Sequence, residues 1–435
     1  MTQTGRYGVV VAGGGSAGLA AALASARSGV RTLLLERHGS LGGMATAALV
    51  HSICGLYRLR EAPGAVLAHR GFPGEFAARL TAAGGATGPV RIGRVDVLLT
   101  QPTLFAALAD QLTAAEPNLT VRFHTEVTGV SRDSCGRLER IATFCRGRQE
   151  SFEAASWVDA TGDATLAALA GAPCEIAPTL QRPALIFALG GVETEVLHGS
   201  GRMQLGRAIA AAVRSGELAP GLLGVHVRPT ARCGELMVTI DLDDPPGGPP
   251  FDPLSPASLS RMERYGRELA VALTTFLTRE RDGFAAAYLA AFPARVGIRE
   301  SRRIVGETRI ETGDLLRGAT FDDAVALSTW PIELREASTG PRLRFPEGDR
   351  PCEIPLRALK ARGAPNLWAA GRCLSSSHEA QAALRVIGTC LATGEMAGLA
   401  AAMQARGEHL SASTLCAARE LVAGLFSSFS PSSKP

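Results

Sequence analysis

Apolar and polar positions alternate along the chain in short blocks, and the first block is the most legible. Residues 7–12 (YGVVVA) form a continuous apolar run of strand length, then glycines at 13, 15 and 18 open a small-residue helical segment reaching about Ser28. A second apolar run from Val30 to Glu36 reads as another strand, so the pattern predicts a complete β-α-β unit. A hydropathy window over 7–26 also has the look of a signal peptide or membrane span, but the turn spacing of the glycines and the strand beyond Arg27 favour the β-α-β reading.

Farther on, apolar runs predict strands at 184–191, 223–229 and 235–241. A Pro/Gly loop (DDPPGGPPFDPLSP, 243–256) follows, then a helix from about Ser258 to Arg279. The Ala-rich stretch after residue 388 predicts a long helix, 411–426 a C-terminal helix, and the Ser/Pro-rich 427–435 a disordered tail.

Composition changes this picture little. With 435 residues, 46% apolar and 20% charged, the chain can bury one large core or two medium ones. The net charge of +4 is spread out, with no run of five or six basic residues, which argues against a nucleic-acid partner. The nine cysteines make no C-x-x-C pair and no zinc spacing, so a reduced, cytoplasmic protein without a membrane segment is expected.

The glycines carry the first chemistry. Gly13 permits a tight turn, Gly15 lets the backbone approach a pyrophosphate, and Gly18 lets the helix pack closely on the sheet. The helix N-terminus adds free N–H groups for phosphate oxygens. Glu36 ends the second strand 18 residues after Gly18, where its carboxylate can accept from ribose hydroxyls. A second glycine pair, Gly42-Gly43, offers another close backbone approach, which a flavin dinucleotide uses more readily than a nicotinamide one.

Five segments in order, "VVVAGGGSAGLAAALASARSGVRTLLLER", "LGGMAT", "VDATGDATLAALAGA", "GIRESRRIVGE" and "NLWAAGRCLSSSHEAQAALRVIGTCLATGEMAGLAAAM", resemble the FAD-dependent oxidoreductases of the glutathione-reductase-type Rossmann fold. More distantly they are similar to the flavoprotein subunits of fumarate reductase and succinate dehydrogenase. The resemblance implies an α/β fold: an FAD-binding Rossmann-like domain with a parallel sheet, discontinuous over 1–175 and 350–410. An inserted α+β substrate domain with a mainly antiparallel sheet would occupy 176–349.

By that resemblance Gly13, Gly15, Ala17 and Gly18 face the pyrophosphate, and Glu36 binds the adenosine ribose with Arg37 beside it. Gly42, Gly43 and Met44 lie near the ribityl chain or flavin, Val127 offers backbone to the adenine, and Gly162 and Asp163 sit near the FAD. At Gly371-Arg372 many relatives have Gly-Asp, the Asp binding a ribityl hydroxyl; Arg372 reverses that charge and can meet a phosphate instead.

The stretch 371–398 holds the catalytic candidates. Ser376-x-x-Glu379 matches a capping box. The preferred reading, however, is a turn or loop through Arg385, a break at Gly388 and a long helix beginning near Thr389. Its free N–H groups would then point at flavin N1 and O2, as the resemblance implies, with Ile387 and Gly388 just before it also counted as cofactor-binding.

His378 can act as acid or base, or be a hydrogen-bonded structural residue; Arg385 can bind a carboxylate or anionic flavin, or form a structural ion pair. His51 and Cys54 are minor candidates for covalent flavin attachment, with Cys54 better read as a buried small residue. In 299–309, alternation suggests a strand in which Arg302 or Arg303 is an anion ligand or, the preferred reading, part of an ion-pair ladder with Glu300 and Glu307.

The expected function is hydride transfer between a small organic substrate and non-covalently bound FAD, with an electron-donor or electron-acceptor protein as an optional partner. A flavin-dependent monooxygenase or modifying enzyme, or a non-catalytic FAD-binding subunit of a redox complex, are the alternatives.

Overall fold

Val9, Val10 and Val11 are wholly buried, which a strand achieves only with both faces and both edges covered. The computed structural model, which describes residues 4–60, 64–230, 232–337 and 340–426, shows how. Strand β1 (Thr4–Ala12) is followed by helix α1 (Ser16–Arg27) and strand β2 (Thr32–Leu35), parallel to β1. Strands β3 (Leu119–Arg122), β4 (Glu126–Arg132), β5 (Leu138–Cys145) and β6 (Arg148–Asp159) complete the order β3-β2-β1-β6-β5-β4. The β3, β2, β1 and β6 neighbours are parallel, whereas β4, β5 and β6 form an antiparallel meander.

The inserted part holds β7 (Ala184–Gly190), β8 (His226–Pro229), β9 (Leu236–Asp241), helix α2 (Pro256–Glu280) and β10 (Tyr288–Ala291). Its four strands form an antiparallel sheet in the order β8-β9-β7-β10. The Ser255 side chain accepts from the Ser258 N–H, and Pro256 sits in the first turn, so α2 starts two residues before the expected Ser258. The separate apolar core here includes Leu185, Phe187, Leu273 and Leu277.

Strand β11 (Leu367–Ala369) returns to the first sheet, running parallel to the last residues of β6. Two helices follow, α3 (His378–Leu384) and α4 (Ile387–Ala405), bent by 91° at the Arg385-Val386 link, and α5 (Ala412–Phe426) closes the described chain. The tail expected to be disordered lies outside the described residues.

Every residue of α4 from Ile387 to Met403 is buried, and α1 is buried from Ser16 to Ala26. The two helices cross at backbone distance: a Cβ on Gly394 would stand 2.1 Å from the Ala17 carbonyl oxygen, and one on Gly398 would stand 2.1 Å from that of Ala21. Among the described residues no single helix is long and apolar enough to cross a membrane.

Two expectations change. The stretch 299–309 is not a continuous strand; Arg303–Ile304 pairs with Cys174–Glu175, and Gly306 makes an isolated bridge to Ala361. Gly388 does not break the helix but lies inside its first turn, because a Cβ there would come within 2.5 Å of the Gly55-Leu56 backbone. The break falls at Val386, whose φ of −70° and ψ of 151° are extended, so the segment before it is helix α3 and not a loop, and Thr389 is not the cap.

Candidate active site

The carboxyl ends of β1, β2 and β6 open onto a cavity of about 690 Å³, the place where parallel α/β sheets present ligand sites. That volume lies in the usual range for small-molecule and cofactor pockets, about 300–1,000 Å³.

Its floor is the glycine loop. Gly13 has φ of +96°, and a Cβ there would meet the Ala160 carbonyl oxygen at 2.5 Å, so only glycine makes this turn. Gly15 faces open space, its nearest prospective contact being the Gly43 Cα at 4.0 Å. No side chain caps α1, so its first-turn N–H groups are left for an anion. Gly18 lies behind, where a Cβ would collide with the Gly13 carbonyl oxygen at 1.7 Å.

Gly42 donates its N–H to the Gly14 carbonyl at 2.8 Å and has φ of +98°, which brings Gly43 and Met44 to the cavity wall beside Gly15. Glu36 is buried and accepts from the Gly14 N–H at 2.7 Å and the His38 N–H at 2.8 Å. It therefore pins the loop, with lone pairs left over for a ribose. Ala17, Arg37, Val127, Gly162, Gly371 and Arg372 also line the cavity; Gly18, Gly42, Asp163 and Gly388 stand behind the lining and shape it.

Arg372 donates to Asp163 at 2.7 Å and to the Ser301 hydroxyl at 2.8 Å. Burial raises the Asp163 carboxyl, but Arg372, Ser301 and Arg37 outweigh it and hold the group below the usual carboxylate range. Arg372 is thus a partner of Asp163 on the cavity rim. Asp159, fully buried, accepts from the Thr161 hydroxyl at 2.7 Å and the Ala167 N–H at 2.9 Å, fixing the turn that carries Gly162.

The far wall comes from the inserted sheet and the bend between α3 and α4. Ala184, Ile186, His226, Arg228 and Thr239 face it, with Trp330, Glu333 and Arg335 alongside. Arg385, at the end of α3, projects into this wall. Its guanidinium donates to the Gln181 side-chain oxygen at 3.1 and 3.3 Å and to the Glu333 carbonyl at 3.4 Å. Burial pushes it down to about 10, with Arg299 adding to the effect and Glu333 opposing it, so it stays charged at neutral pH.

Next to it, Asp241 is fully buried between Arg299 and Arg335, each at 2.6 Å. His51 lines the same wall: its Nδ1 donates to the Leu49 carbonyl at 3.3 Å, and its buried Nε2 has no partner. Burial, aided by Arg228, lowers His51 to about 4, so the ring is neutral.

His378 is not brought to the cavity. Its Nδ1 lies 2.8 Å from Glu300 and its Nε2 3.3 Å from Glu336, while Glu300 also pairs with buried Arg303 at 2.6 Å. It is a bridge between two carboxylates. Burial lowers its pKa, but Glu300 and Glu336 win and raise it. Its contribution to stability is therefore complete below the ordinary value of 6.5 and fades as pH rises through the elevated folded value. The melting temperature of the wild type should fall more steeply than that of His378→Gln as the pH is raised above the ordinary value of 6.5, as scanning calorimetry would read.

Glu379 is not a cap either: it pairs with Arg344 at 2.7 Å, Ser377 is the N-cap residue, and no side chain caps α3. Ile387 lines the cavity, but the Gly388 N–H is already taken by the Cys54 carbonyl at 2.9 Å. Cys54 lines the wall as a half-buried thiol, raised to about 11 by desolvation, which makes it a poor nucleophile.

A glycine-lined cradle at a helix N-terminus, an acid at the end of the second strand and a second wall from an inserted sheet define a dinucleotide-binding flavoprotein. The chain matches the family model described as FAD dependent oxidoreductase over residues 8–418 and belongs to that family, whose cofactor is FAD. No curated protein matches the sequence.

Among solved structures it is similar to a geranylgeranyl bacteriochlorophyll reductase-like protein from Thermoplasma acidophilum. That match has 14% identity and a TM-score of 0.48, covering 98% of this chain and 85% of that one. It is also similar to p-nitrophenol 4-monooxygenase from Pseudomonas putida, with 14% identity, TM-score 0.47 and coverage of 98% and 87%. A flavin-dependent brominase matches at 12% identity, TM-score 0.48 and coverage of 96% and 84%.

The residues fit the cofactor: Gly15 is open, the α1 N–H groups are uncapped, and Arg295, on the cavity wall, has no side-chain partner among the described residues. Arg295, Arg299, Arg335, Asp241 and His226 carried no sequence signal, since nothing local to 241 or 335 marks them as partners. His51 was visible, but as an attachment point and not as a buried neutral ring.

Proposed function

We propose that the protein oxidises or reduces a small organic substrate bearing a carboxylate, held by Arg385 against the flavin end of the cavity. The observation that carries this reading is Arg385 itself, a cation on the cavity wall whose partners are a neutral amide and a carbonyl. Its Nε and Nη2 are held by Gln181 and the Glu333 carbonyl, and the two N–H groups of Nη1 are left for a carboxylate oxygen. Arg299 and Arg335 are matched by Asp241 and Glu333, so the surplus positive charge of this wall is that of Arg385.

FAD, when bound, supplies the two-electron acceptor or donor. Gln181 and the Glu333 carbonyl orient Arg385, and Arg385 fixes one end of the substrate. His51, its tautomer set by the Leu49 carbonyl, stays neutral on the same wall and adds no charge beside Arg385. The apolar Ile186, Trp330 and Phe345 exclude water around the reacting carbon.

The test is anaerobic bleaching of the bound flavin by a panel of small hydroxy and amino acids beside the matching alcohols and amines without the carboxylate. Bleaching by carboxylate-bearing members only is expected, with Arg385→Met weakening the response about 30-fold or more, the equivalent of 2 kcal/mol. Equal bleaching by the decarboxylated partners overturns the assignment. Flavin-dependent oxygen uptake driven by NADPH would point instead to a monooxygenase, and a flavin that no small molecule reduces to a redox subunit.

A further inference from the structure

We propose that Arg295, carried by the inserted part of the chain, is the counter-ion of the FAD diphosphate and closes the cradle opposite the N-terminus of α1.

Arg295 follows β10, and its own backbone N–H donates to the Ala47 carbonyl at 3.2 Å. Two residues on, a Cβ placed on Gly297 would meet Ala48 at 3.6 Å and the Met44 sulfur at 4.0 Å. The segment therefore lies directly on the turn that Gly42 and Gly43 form against the glycine loop.

The side chain lines the cavity, yet among the described residues its guanidinium has no hydrogen bond or ion pair, and its Nε is buried without a partner. The acids around it are held by other donors. Glu36 gives its two oxygens to the Gly14 and His38 N–H groups, and Asp163 is held by Arg372, Ser301 and Arg37. Three arginines thus share this end of the cavity with two carboxylates, and Arg295 is the one left over.

A cation partly removed from water with no anion is unfavourable. Burial, with Arg37 and Arg372 adding to it, lowers this guanidinium to about 10, which still leaves it charged at neutral pH. The family's cofactor brings an anion to this end of the cradle. A diphosphate carries two negative charges, its oxygens suit the planar fork of arginine, and the α1 N-terminus can hold the other side. The carboxylate of a substrate is served elsewhere, by Arg385 and its neighbours.

Kd values of the apo-protein for FAD and for ADP test this directly, by calorimetry or flavin fluorescence, because ADP carries the diphosphate without the flavin. Arg295→Gln should raise both Kd values about tenfold or more, with the melting temperature of the apo-protein unchanged or higher. Both values within about twofold of wild type would overturn the proposal, and so would a loss for FAD that leaves ADP untouched, since that places Arg295 at the flavin end. If Arg295→Gln does not fold, Arg295→Lys carries the test: it keeps the charge without the fork, and a rise of about threefold or more in both values is expected, no rise being the contrary result.

Discussion

Asp241→Ala is expected to destabilise the protein by about 3–5 kcal/mol, the usual cost of stripping the partner from buried charges. Asp241 has no exposed side-chain surface and receives Arg299 and Arg335, each at 2.6 Å, while both arginines are only 12% exposed. Removing it takes the carboxylate from Arg299 and leaves Arg335 with Glu333 alone, beside Arg385.

Asp241→Asn should cost less, because it keeps one acceptor, and Asp241→Ala combined with Arg335→Met should recover part of the loss. Urea unfolding of the four proteins measures this; a single variant within about 1 kcal/mol of wild type would show that the cluster is solvated. The sign with pH follows as well. Burial raises this carboxyl, but Arg299 and Arg335 outweigh it and hold the group low. Its contribution is present above the unfolded value and is lost as pH falls through the depressed folded one.

Gly394→Ala with Gly398→Ala should be the other large effect. Each added Cβ would lie 2.1 Å from a backbone oxygen of α1, which no rotamer change can relieve. Helix propensity favours alanine by about 1 kcal/mol per site, while forced repacking costs about 1–3 kcal/mol per site and sometimes more.

The balance is a net loss, and it comes with displacement of α1, whose Ala17 lines the cofactor cavity. We expect lower thermal stability and a weaker Kd for FAD in the same variant. Gly206→Ala, on an exposed helical site with nothing within 4 Å of the new methyl, supplies the opposite sign and should stabilise by about 0.5–1 kcal/mol. A double variant as stable as wild type would mean that the helices can part without cost.

The cradle was legible in the sequence because its geometry is local. Gly13, Gly15 and Gly18 act within one turn, and Glu36 reaches back to Gly14 over 22 residues of a single β-α-β unit. Gly42-Gly43 was legible for the same reason, since a left-handed turn leaves glycine as its trace. The inserted strands could be read from their apolar runs.

The far wall was not legible, because its partners are remote. Arg299 and Asp241 are 58 residues apart, Arg335 and Asp241 94, and Arg385 and Gln181 204. His378 misled for the converse reason: a histidine beside serines and a glutamate suggests chemistry, and only the fold brings Glu300, 78 residues away, onto its ring. The helix break was misplaced because Gly388 serves a tight approach to Gly55, which leaves the same trace as a hinge.

The position of β11 bears on how the protein comes to be made. Strand β6 has β5 along its first half and β11 along its last residues, and the Ser156 hydroxyl reaches the Asn366 carbonyl across 210 residues. Contacts of such sequence separation form late and slowly. On the ribosome, the glycine loop emerges hundreds of residues before the helix that packs on its back, so the nascent chain carries an open half-cradle. Cofactor loading is then an event of the finished polypeptide, and a ribosome stalled before α4 should hold a chain that binds no flavin.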